Sequence, residues 1–98
     1  MTISTALENG TLTLRPEGRL DSVTSDDLSA VLAEHFTADV GTLVLDLSGV
    51  DFISSKGLRV LVSVYKGLNG RTMTLTGANT SVKEIFRISG LAKTFDIR

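Results

Sequence analysis

The chain has 98 residues, a formal net charge of −1 and no cysteine. That length holds one domain, 1–98, with one modest core; the charge lacks the basic footprint of a nucleic-acid partner, and the missing thiols exclude disulfides, thiolate metal sites and cysteine catalysis. Met1 to Thr5 carry no charged start followed by an apolar block, and no apolar run approaches the span of a bilayer, so the expected compartment is the cytoplasm, without direct membrane insertion.

Thr11 to Arg15 alternate, with Leu12 and Leu14 on one face, and Glu8-Asn9-Gly10 supplies the positive-φ turn that pairs this run with Ile3 to Leu7 in a hairpin. Pro16 and Gly18 are expected to bend or end that strand. A first helix follows. Thr24 is placed to cap it, Asp26 and Asp27 suit its positive end, Val23 is set to staple onto Leu28, and Leu28, Val31, Leu32 and Phe36 mark one face. Leu43, Val44, Leu45 and Leu47 then run almost unbroken, the pattern of a strand covered on both faces and central in its sheet.

From Leu58 the period becomes helical through Leu61, Val62, Tyr65 and Leu68, with Asn69-Gly70 as the stop. Met73 and Leu75 return to alternation. Ser81-Val82-Lys83-Glu84 fits a capping box ahead of an apolar face of Val82, Ile85 and Phe86, Gly90 ends that helix, and Lys93 to Arg98 remain as a short last strand. The order is β-β-α-β-α-β-α-β. Helical crossovers make their strands parallel while the opening hairpin is antiparallel, so the expected class is α/β with a mixed sheet.

Catalytic chemistry is thin. His35, the only histidine, falls near the end of the first helix, where a surface residue beside the negative dipole end accounts for it, and it has no second ligand or triad partner. Asp46 and Asp51 flank the end of the central strand, but no P-loop of the G-x-x-x-x-G-K-[S/T] form accompanies them. An autonomous enzyme is not expected, nor is a cofactor or a metal.

Ser54-Ser55-Lys56-Gly57 stands out, because it lies after the central strand and at the start of the next helix, where ligands and partners meet parallel α/β sheets. One serine is explained as a cap. Lys56 opposes the helix dipole and Gly57 costs about 1 kcal/mol relative to alanine within a helix, so both point to a further demand. A phosphate on Ser55 would bring negative charge to the positive helix end, and Gly57 would let another protein's backbone approach. The bland reading stays open beside it: Gly57 packs on a neighbouring strand and Lys56 is solvated.

The order of elements, with Leu43 to Leu61 and Gly18-Arg19-Leu20-Asp21 ahead of the first helix, resembles the STAS domain family over essentially the whole chain, and in kind the freestanding anti-sigma factor antagonists. The resemblance implies a STAS-like (SpoIIaa-like) mixed sheet with packed helices. It also implies a phosphorylation-controlled binding module that holds an anti-sigma factor serine kinase when unphosphorylated, releases it when phosphorylated, and is reset by a PPM-type serine phosphatase. Matching Gly57-Leu58 to the family's Gly-Leu puts the phosphoacceptor on Ser55, with Ser54 where sporulation-type members carry aspartate and Lys56 where a small residue is usual. Asp21, Ser54, Ser55, Lys56 and Gly57 become the partner-binding residues, and a monomer is the default state. The alternative is a STAS subunit or scaffold of a transporter-associated or signalling complex that does not switch, in which Ser55 is mainly a cap.

Overall fold

A computed structural model describes all residues, 1–98. The elements are β1 (Thr2–Glu8), β2 (Thr11–Leu20), α1 (Thr24–His35), β3 (Thr42–Asp46), β4 (Val50–Ile53), α2 (Ser55–Lys66), β5 (Thr72–Thr76), α3 (Thr80–Ile88), a 3-10 turn (Leu91–Lys93) and β6 (Asp96–Ile97). The strands lie in the order β1-β2-β3-β5-β6, with β4 paired to the end of β2. Only β1 and β2 are antiparallel, so the sheet is mixed as the crossovers require. Their turn is the expected one, with Asn9 and Gly10 both at positive φ, the backbone that tight hairpins favour.

The expected order misses β4. Leu43 to Val50 do not form one strand, because Asp46 Oδ1 accepts the Ser48 N–H at 3.0 Å and Leu47 O accepts the Val50 N–H at 3.0 Å, which folds Leu47 to Gly49 into a turn. Gly49 sits where a Cβ would lie 2.9 Å from the Glu17 side chain and 3.2 Å from the Pro16 carbonyl, so the turn tucks against β2. The chain then resumes as β4. Pro16 and Gly18 bend β2 without ending it: β2 pairs β3 through Leu14, Pro16 falls in the gap where no parallel neighbour needs its N–H, and the register shifts between Gly18 and Arg19 as β2 takes up β4.

One face of the sheet carries the core. Leu12 and Leu14 of β2, Leu43 and Leu45 of β3, and Met73 and Leu75 of β5 are paired across the strands and buried in one cluster. The same cluster takes Leu28 and Leu32 from α1, Leu61 from α2, and Val82 and Phe86 from α3, so all three helices cover that face. The expectation that β3 is covered on both faces is therefore corrected. β3 is central, but Thr42, Val44 and Asp46 point to the opposite, partly exposed face beside Thr11 and Thr13 of β2 and Thr72 and Thr74 of β5. A single valine on the open face filled in the alternation and made it look like a continuous apolar run.

Two helix starts also differ from expectation. α1 is capped by Asp21, while Thr24 already lies inside the helix; Val23 is 73% exposed and staples nothing. α3 is capped by Asn79, whose Oδ1 accepts the Val82 N–H at 2.8 Å while its amide reaches Val50 O, and Glu84 pairs with Arg87 instead of closing a capping box on Ser81. The last strand shrinks to two residues. Gly90 turns at positive φ, Leu91 to Lys93 coil into the 3-10 turn, and Phe95 is buried edge-on against Phe86 and Tyr65. No helix is long and apolar enough to cross a membrane.

Candidate functional site

β2 and β4 run parallel with Leu20 beside Ile53, and each strand leads almost directly into a helix. The N-termini of α1 and α2 consequently stand side by side beyond the carboxyl ends of these strands, the position where open α/β sheets present their sites. Three contacts join them. The Ser54 N–H donates to Leu20 O at 2.8 Å, Gly57 lies over Leu20 and Ile53, and the Lys56 ammonium holds Asp26 of α1 at 2.9 Å. On the outer side of the strands the Arg19 guanidinium lies 4.6 Å from the centre of the Phe52 ring, a cation–π contact across the same pair.

The α1 side is closed on itself. Asp21 Oδ1 accepts the N–H groups of Val23 and Thr24, each at 2.9 Å, and lies 3.1 Å from the Thr24 hydroxyl oxygen. These donors, the Thr24 N–H foremost and then that of Val23, hold the Asp21 carboxyl below the usual aspartate value. The Thr24 hydroxyl in turn accepts the Asp21 N–H and donates to Arg19 O, and the buried Ser25 hydroxyl donates to Asp21 O. Gly-x-Leu-Asp thus ends a strand and starts a helix with one residue doing the capping.

The α2 side is simpler. Ser54 has extended backbone, and its Oγ accepts the Gly57 N–H at 3.2 Å, so it is the cap. Ser55 is the first helical residue, exposed, and its hydroxyl makes no hydrogen bond within the protein. Gly57 is buried: a Cβ there would stand 3.0 Å from Leu20 O, 3.0 Å from Ile53 Cγ2 and 3.1 Å from Leu20 Cγ. The backbone that approaches Gly57 is the protein's own, at Leu20, as the packing alternative has it. Lys56 is not simply solvated either, since it bridges the two helices through Asp26.

Asp21, Ser54, Ser55 and Lys56 therefore surround one corner, with Gly57 beneath it. Leu20 and Asp26 complete it, and neither was assigned to this site from the sequence. The strand pairing that sets Leu20 under Gly57 depends on the bulge after Gly18, and Asp26 lies 30 residues from Lys56, beyond any local spacing rule. His35 closes α1 as expected. Asp46 is engaged by Arg15 at 2.9 Å, and the Ser48 hydroxyl, followed by the Ser48 N–H at 3.0 Å, lowers its pKa. No three histidine or carboxylate side chains gather as a metal-ligand set.

With this geometry, the chain matches the STAS domain over residues 2–98. It belongs to the STAS domain family. It is 30% identical over 96 residues to the anti-sigma-F factor antagonist RsfB of Mycobacterium tuberculosis, covering 97% of this chain and 79% of that one. The crystal structure of an anti-sigma factor antagonist from Mycobacterium paratuberculosis superposes with a TM-score of 0.88 at 28% identity, over 98% of this chain and 83% of the other. SpoIIAA in its unphosphorylated form shares the fold, with a TM-score of 0.84 at 19% identity over 99% of this chain and 88% of that one. The SpoIIaa-like architecture read from the sequence is thus the one observed, with β4 added to it.

Proposed function

We propose that this STAS domain is an anti-sigma factor antagonist whose binding is controlled by phosphorylation of Ser55. The observation that carries the reading is the division of labour between the two serines. Ser54 caps α2, and Ser55 is left exposed with an unengaged hydroxyl at the corner where two helix N-termini meet. Likeness to antagonists such as RsfB over nearly the whole chain supports the partner class.

In this mechanism the unmodified corner docks on an anti-sigma factor that is also a serine kinase. Ser55 Oγ bonds to the terminal phosphorus of ATP, ADP departs, and the hydroxyl proton is lost to solvent or to a base of the kinase. A hydroxyl enters a desolvated interface at small cost, whereas a phosphate of about −1.5 to −2 charge resists burial without a matched cation, so the complex separates without refolding the domain. A PPM-type serine phosphatase hydrolyses the ester and restores the hydroxyl. Asp21, held ionised by its backbone donors, and Lys56 flank the acceptor on the docking surface, and Gly57 serves it by setting α2 close on Leu20. The domain is not itself an enzyme in this scheme, and it acts in the cytoplasm as a monomer.

Recovery of a partner from source lysate, incubation of the recovered kinase with ATP and mapping of the phosphate tests the reading. Phosphate on Ser55, with loss of the complex, is expected. Phosphate on another residue, or a complex indifferent to Ser55→Asp, contradicts it. The scaffold alternative needs Ser55 mainly as a cap, and that duty falls to Ser54.

A further inference from the structure

Phosphorylation would add a dianion to the first turn of α2, which the free protein has to accommodate. α2 carries Lys56, Arg59 and Lys66 and no acidic residue. Of the two cations nearest Ser55, Lys56 is occupied, its ammonium lying 2.9 and 3.0 Å from the two carboxylate oxygens of Asp26. Arg59 is exposed and forms none of the protein's ion pairs. It follows Ser55 by four residues, one turn along the same face of the helix, and an anion four positions ahead of a cation is the favourable order because it also suits the helix dipole.

We infer that Arg59 is the intramolecular counter-ion of a phosphate on Ser55. This rests on the reading of Ser55 as the phosphoacceptor. The planar guanidinium offers two parallel N–H groups to two phosphate oxygens, a match that an ammonium group cannot make. The consequence is electrostatic. A cation held beside the phosphate favours its doubly charged form, whose second proton ordinarily leaves near pH 6, so the modified corner stays dianionic through the neutral range and the signal does not fade with modest acidification. Lys56, the residue that departs from the family's pattern, is not the one that receives the charge, because its partner is Asp26.

The test uses the full chain with phosphoserine installed at position 55 during translation, titrated by phosphorus NMR. Arg59→Gln raises the second phosphate pKa by about 0.3 unit or more, the size expected for loss of an i,i+4 ion pair. Lys56→Gln moves it less and Lys66→Gln leaves it in place, and the Arg59 effect shrinks in about 1 M salt. An Arg59→Gln protein that titrates like the unsubstituted chain overturns the inference, as does a larger displacement from Lys56→Gln. Because the phosphate is installed without a kinase, this result is independent of the switch itself, whose failure would appear instead as unchanged affinity of the phosphorylated chain for its anti-sigma factor.

Discussion

The two helix starts that meet at the site solve the same problem in opposite ways. At α1 a carboxylate takes two backbone N–H groups, the Thr24 hydroxyl ties the turn to Arg19, the Ser25 hydroxyl is buried on Asp21 O, and Asp26 and Asp27 add negative charge to the first turn. At α2 one serine takes one N–H, the first turn has no acid, and the next hydroxyl is free. α1 is saturated with its own groups and serves as a fixed wall. α2 keeps positive potential and an unused nucleophile at its tip, which is the electrostatic setting in which an added anion is tolerated on the free protein and costly in an interface. The proposed modification falls on the side that the fold has left unfinished.

Substitutions separate the shared support from the two starts. The largest effect is expected beneath both: Leu20 is fully buried, lies under Gly57 and accepts the Ser54 N–H, so Leu20→Ala should lower stability by about 2–5 kcal/mol in chemical denaturation. A loss under about 1 kcal/mol would mean that the two corners do not depend on this side chain. Gly57→Val should cost about 1–3 kcal/mol by the same measurement, since the Leu20 carbonyl facing the new side chain is backbone and cannot swing aside.

Smaller effects distinguish the serines. Ser54→Ala removes the cap and should cost about 1 kcal/mol, while Ser55→Ala should stay within about 0.5 kcal/mol. Equal losses, read from thermal melts, would erase the division of labour. Last comes acid. Asp21 has a lowered pKa in the fold, so its ionised form adds stability that is complete above the unfolded value, near 3.8, and is lost as pH falls through the lower folded value. Asparagine keeps an acceptor but does not titrate. The deficit of Asp21→Asn relative to the unsubstituted chain should therefore narrow as pH falls below about 5, whereas that of Ser54→Ala should not change with pH.

Residues with local signatures were legible in advance. Asn9-Gly10 fixed the hairpin, the spacing from Leu58 to Tyr65 fixed α2, and the serine pair at its start marked a cap, which the structure assigns to Ser54. What escaped depended on neighbours far along the chain. β4 exists because the Asp46–Ser48 turn breaks an apolar run and β2 changes partner after Gly18, and nothing in Leu43 to Ile53 alone announces either. Lys56 and Gly57 looked out of place only because Asp26, Leu20 and Ile53 were not yet beside them. Their explanation is structural, and it leaves Ser55 as the residue in the motif whose side chain the fold does not use.

The central claim is that this side chain decides whether a partner stays bound. Calorimetric titration of the cognate anti-sigma factor with the unmodified chain and with the chain carrying phosphoserine at 55 measures it directly. At least tenfold weaker binding of the phosphorylated form, about 1.4 kcal/mol, is predicted; equal affinities for the two forms would contradict the account.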